Sequence, residues 1–168
     1  MRKYIFILAS LCLALCACKK IDDETIPAMP VNIDLANIGY WTTYGVSGYG
    51  SFRYFNTETR EPANFPFTAN TYTGFGGVVI ICGFDFTTGD YNSVLAYDMA
   101  CPVERQRDVR ISINQDFKAV CPKCGSQYDV CEGAGAPTSG TALSRKIGSR
   151  RYSAIARHGG YVIVNTKK

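Results

Sequence analysis

The chain has 168 residues but only one histidine and one tryptophan. The histidine, His158, falls in a turn between two strand-like runs and reads as a polar turn residue. Acid–base catalysis and metal binding through several imidazoles therefore have no residues to work with. No serine or cysteine stands in a nucleophile elbow or beside an evident base. Charge is scarce as well: 19% of residues are charged, with a net charge of +4. No basic stripe interleaves with stacking aromatics, so nucleic acid is not an expected partner. The carboxylates Asp85, Asp90, Asp98, Glu104, Asp108 and Asp116 are scattered over strands and turns and read as solvent-facing. GAGAPTSG (133–140) lacks the lysine and following helix of a phosphate loop and reads as a flexible crossing. RKIGSRR (145–151) makes a local basic patch, read as a solvated face.

Long apolar runs are also missing. The stretch at residues 5–17, IFILASLCLALCA, follows Arg2 and Lys3 and is too short to span a bilayer comfortably. It reads as a signal peptide. Its end, LCAC (15–18), resembles the bacterial lipobox, which implies cleavage before Cys18 and acylation of that cysteine. The expected partner is then the lipid bilayer, held through acylated Cys18 without a spanning helix. The implied location is the bacterial outer membrane, periplasmic or surface-exposed. KKIDDETIPAMP (19–30) reads as a tether, and its lysines followed by acids resemble a surface-export signal or a solvated linker. The expected division is 1–17 signal peptide, 18–35 lipidated cysteine and linker, and 36–168 one folded domain.

Eleven tyrosines, nine phenylalanines and sixteen glycines favour strands and turns. Residues 31–41 read as an edge strand or loop, and 44–58 as hairpins. EPANFPF (61–67) reads as irregular. GGVVIICGFD (76–85) is an apolar, β-branched run and reads as a buried strand carrying Cys82 as an inert thiol. SVLAYDMAC (93–101) reads as a second strand. DVRISIN and FKAVC pair across NQD, and RRYSAIAR and YVIVN pair across HGG. No helix longer than about one turn is expected, and the class is all-β.

Of eight cysteines, Cys12 and Cys16 leave with the signal peptide and Cys18 takes lipid. Cys82, Cys101, Cys121, Cys124 and Cys131 remain in a disulfide-permissive compartment. ACPVE (100–104) and VCPKCG (120–125) match each other. Each follows a strand, begins Cys-Pro and carries a possible ligand three residues later, Glu104 or Cys124. Such turns aim backbone N–H groups at sulfur and hold metals in small β proteins.

The run LAYDMACPVE…ISINQDFKAVCPKCGSQYDVCEGAGAPTSGTAL…RRYSAIARHGGYVIV resembles the Rieske iron–sulfur domain. Cys101 and Cys121 match its two cysteines. Gly125, Ser126, Tyr128 and Asp129 match the tail of its second loop, and Gly140, Thr141 and Ala142 stand where its third loop lies. The resemblance implies a Rieske-like antiparallel β-sandwich or barrel with a rubredoxin-like, two-loop cysteine tip. It departs at the ligands: Val103 and Cys124 occupy the two histidine positions, so a standard Rieske centre cannot assemble.

Three arrangements of the tip stay open. Disulfides could join Cys101 to Cys121, whose sulfurs share one iron in the family, and Cys124 to Cys131. One zinc or iron could sit on Cys101, Cys121 and Cys124, with Glu104 or Cys131 as fourth ligand. A [2Fe–2S] cluster could persist on altered ligands. The expected function is a non-enzymatic binding or accessory lipoprotein with an unidentified protein partner. The other class is an electron carrier with an altered cluster or mononuclear iron.

Overall fold

The structure, a computed structural model, describes residues 20–166. The expected signal segment and Cys18 lie outside the described residues. Eleven strands dominate: β1 (Val31–Leu35), β2 (Phe52–Phe55), β3 (Tyr72–Thr73), β4 (Val78–Asp85), β5 (Asp90–Asp98), β6 (Ser112–Ile113), β7 (Lys118–Val120), β8 (Gln127–Asp129), β9 (Ala136–Ser139), β10 (Arg151–Arg157) and β11 (Gly160–Asn165). The described residues also form two short helices, α1 (Ile38–Tyr44) and α2 (Gly140–Arg145).

The first sheet is antiparallel, in the order β2-β4-β5-β10-β11-β1-β3. It curls until its two edges nearly meet. Thr57 N–H reaches Thr73 Oγ1 at 3.3 Å, and the two threonine hydroxyls stand 3.2 Å apart. The second sheet, β6-β7-β8-β9, packs on the outside of this near-barrel. β4 shows why. Its apolar run has no polar face: Val78, Ile80 and Cys82 point into the barrel with Ile33, Leu35, Phe55 and Ile163. Val79 and Ile81 point outward and are covered by Ile111, Ala119, Tyr128 and Val130. Strict alternation thus builds two cores on one strand.

The domain begins earlier than composition suggests. Residues 22–35 were expected to be linker, yet Asp22 bridges Ile147 and Ile26 is 1% exposed. β1 is an interior strand, paired to both β11 and β3, and not an edge strand or loop. Residues 44–58 supply one strand, β2, rather than hairpins. α1 also exceeds the single turn expected. Its cap is Asn37, whose Oδ1 accepts Gly39 N–H at 2.8 Å. Aromatic contacts hold it, Trp41 on Tyr161 at 4.7 Å and Tyr44 on Phe65 at 5.2 Å. The segment expected as a flexible crossing contains β9. The two expected late hairpins, β6–β7 and β10–β11, are present. His158 and Gly159 occupy the latter's turn at positive φ, 47° and 88°.

Gly76 marks the crowded junction beneath the cysteine loops. A Cβ there would collide with Ala100 N and lie 2.8 Å from Ala100 Cα. Gly76→Ala is expected to cost about 1–3 kcal/mol through overpacking, read as a lower urea midpoint.

Candidate functional site: three converging thiols

The two Cys-Pro segments form matching turns. Arg105 N–H closes the first onto Cys101 O at 2.9 Å, and Gly125 N–H closes the second onto Cys121 O at 3.0 Å. The closing residues share the left-handed conformation, φ 54° at Arg105 and 67° at Gly125. Glycine is free of strain there, whereas arginine is not. β5 delivers the first turn just past its buried end, and β7 delivers the second directly.

The turns meet. The Sγ atoms of Cys101, Cys121 and Cys124 all lie within 4.8 Å of one another. Cys101 Sγ and Cys124 Sγ are 3.7 Å apart. Cys101 and Cys121 are buried and Cys124 is half-buried, so the cluster reaches the surface through one sulfur. All five cysteines from Cys82 onward are free thiols.

Donors converge on the sulfurs. The N–H groups of Glu104 and Val103 hydrogen-bond Cys101. Ser126 donates to Cys124 from its backbone N–H. Cys124 Sγ donates to Ser126 Oγ at 3.3 Å, and the same oxygen accepts Ala142 N–H at 3.1 Å, which fixes the cysteine against the start of α2. Tyr128 Oη, at the base of the site, is 3.8 Å from Cys101 Sγ. Burial pushes the Cys101 thiol up to about 12, against the pull of its amide donors. At Cys124 desolvation also pushes upward, but Ser126 and the two neighbouring thiols outweigh it and the thiol is lowered. Burial raises Tyr128, and the neighbouring cysteines add to this. In metal-free protein, Cys124 is therefore expected to react with iodoacetamide at least about ten-fold faster than Cys101 at neutral pH. Peptide mapping over time measures the two rates, and equal rates would contradict the asymmetry.

The two proposed fourth ligands stand elsewhere. Glu104 holds the place in the first turn that Cys124 holds in the second, but its carboxylate pairs with Lys123 Nζ at 2.8 Å. Cys131 is buried in the core, where its carbonyl accepts Phe84 N–H at 2.8 Å. Its thiol is pushed up to about 12 by burial and then by Asp129. It does not join the triad, so a bridge from Cys124 to Cys131 has no support in this geometry. Cys82 is buried on the barrel side of β4, as expected of an inert thiol. Ser126, Tyr128 and Lys123 were given no role on sequence. Ser126 and Tyr128 stood in the motif tail, which was the available signal.

Three thiolates around one ion fit the spacing. Sulfurs at about 2.3 Å from a tetrahedral ion lie about 3.8 Å apart, close to the 3.7 Å between Cys101 and Cys124. A binuclear cluster fits poorly. It needs ligands spread over two irons, whereas these sulfurs crowd around one point and Val103 offers no donor.

A groove of about 690 Å³ opens between β5 and β10, and no cysteine lines it. Its cations serve the fold. Arg150 donates to Ile26 O at 2.7 Å, and Arg151 pairs with Asp85 at 2.8 Å. Among the described residues no helix is long and apolar enough to cross a membrane. No protein-family model matches the chain, and no curated protein or solved structure matches it.

Proposed function

We propose that this chain is a lipid-anchored, extracytoplasmic protein of Rieske-like build whose two-loop tip holds a single zinc or iron ion on Cys101, Cys121 and Cys124. The observation that carries this reading is the mutual approach of three sulfurs, with backbone amides turned toward two of them. The metal clamps two turns that are distant in sequence, and the protein serves as a binding or accessory lipoprotein rather than a catalyst. A thiophilic ion suits three cysteines, and binding energy of that kind stabilises a fold directly. The Cys18 anchor rests on the order of charged start, apolar core and lipobox.

A second reading has its own observation. Cys124 brings one sulfur of the cluster to the surface, so an iron held there could exchange single electrons with a docked partner. Protein exported through its own signal and purified from membranes separates these outcomes. Elemental analysis is expected to find about one ion per chain, colourless for zinc and coloured by thiolate charge transfer for iron. Absence of metal, together with a disulfide inside the triad, would overturn both metal readings. Mass spectrometry of the N-terminal peptide tests acylation of Cys18.

A further inference from the structure

The first described residues, 20–26, run along the same pole of the domain as the cysteine tip. Asp22 is stitched to the body by two backbone bonds, its N–H to Lys146 O and Gly148 N–H to its carbonyl, each 2.8 Å. Thr25 Oγ1 then donates to Pro102 O in the first cysteine turn at 3.1 Å. Arg150 holds Ile26 O at 2.7 Å. The segment that sequence reads as a flexible tether is thus fixed along one end of the fold.

Covalent geometry limits what remains. Four residue steps separate Cys18 from Asp22, a reach of at most about 14 Å, and seven steps separate Cys18 from Thr25, at most about 25 Å. A lipid on Cys18 therefore draws this end of the domain against the bilayer. The surface there suits that contact. Ile21 is 40% exposed and lies over Gly148, and Leu143 of α2 is 50% exposed. Lys20, Arg145 and Lys146 are exposed around them. Asp22, Asp23 and Glu24 offset part of that positive charge, so apolar contact and the anchor contribute more than attraction to anionic headgroups.

We infer that the face formed by residues 20–25 and α2 is apposed to the lipid bilayer, holding the cysteine tip close to the membrane and the β10–β11 turn away from it. This rests on acylation of Cys18. The partner of the tip is then a membrane-borne group rather than one diffusing freely in the surrounding compartment. The opposite end is well defined. β10 runs about 20 Å from Arg151 toward the His158 turn, where Trp41 packs on Tyr161.

Tryptophan quenching tests the orientation. The full acylated protein is reconstituted in vesicles whose lipids are brominated near the headgroup end of their acyl chains. Leu143→Trp places a reporter on the apposed face, and Ile155→Trp places one on the far hairpin, at a residue 43% exposed. Both sites are exposed, so both variants should fold, and Trp41 serves as a distal reference in each. The added emission of Leu143→Trp is expected to be quenched at least three-fold more than that of Ile155→Trp. Equal quenching with Cys18 shown to be acylated would overturn the apposition while leaving the anchor intact. An unacylated Cys18 would overturn the anchor, and the apposition with it. In the parent protein, amide exchange at 20–25 and 140–148 should slow when vesicles are added, and unchanged exchange counts against the proposal.

Discussion

Asp98→Ala is expected to destabilise the protein by about 3–5 kcal/mol, a shift of more than about 1 M in urea midpoint. Asp98, expected from sequence to face solvent, is completely buried. Its carboxylate accepts Ala100 N–H at 2.8 Å, Phe75 N–H at 2.9 Å and Gly76 N–H at 3.0 Å. Tyr152 Oη donates to it at 2.6 Å. Alanine would strand all four donors in a site that excludes water, and each stranded donor costs its desolvation. The same carboxylate ties β5, the segment before β4 and β10 together just ahead of Cys101. The variant should therefore lose some metal as well as stability. Asp98→Asn keeps the shape but loses an acceptor, and should fall between the two. A change below about 1 kcal/mol in Asp98→Ala would show that the junction is held by packing alone.

Cys121→Ser is expected to reduce bound metal at least ten-fold and to lower stability, because a buried sulfur at the centre of the triad is lost. Cys131→Ala is the comparison. It removes a buried thiol of the same core, so it should cost about 1–2 kcal/mol in packing while leaving the ion in place. If both variants lose metal equally, Cys131 belongs to the site and the triad assignment fails. If neither does, the triad holds no ion. Metal analysis beside denaturant unfolding reads both quantities on one preparation.

Part of this site was legible in the chain. Two Cys-Pro segments at matching places after strands predicted that distant sulfurs would meet, and they do. The late hairpin was legible from HGG, since only residues tolerant of positive φ fit its turn. The buried strand β4 was legible from its β-branched run. Other features depend on tertiary contacts. Val31, Ile33 and Leu35 alternate as a strand should, but the charged and proline-bearing residues before them suggested a tether. Only pairing with β11 and β3 makes β1 an inner strand. α1 has threonines and tyrosines in place of strong helix formers, and its stability comes from Asn37 and the aromatic packing around it. Glu104 looks like a ligand in sequence because its spacing matches Cys124. Lys123, from the opposite loop, takes its carboxylate, and spacing alone cannot reveal that competition. Cys131 follows the same logic: closeness in sequence to Cys124 suggested a bridge, and the fold turned its side chain into the core.

The account depends most on three thiolates sharing one ion. X-ray absorption at the metal edge, on protein produced from the full chain, counts those neighbours directly. The predicted spectrum has about three sulfur scatterers near 2.3 Å around a single zinc or iron and no short metal–metal vector. A metal–metal vector would mean a binuclear cluster, and a protein without bound metal, its Cys101 and Cys124 joined as a disulfide, would contradict the account outright.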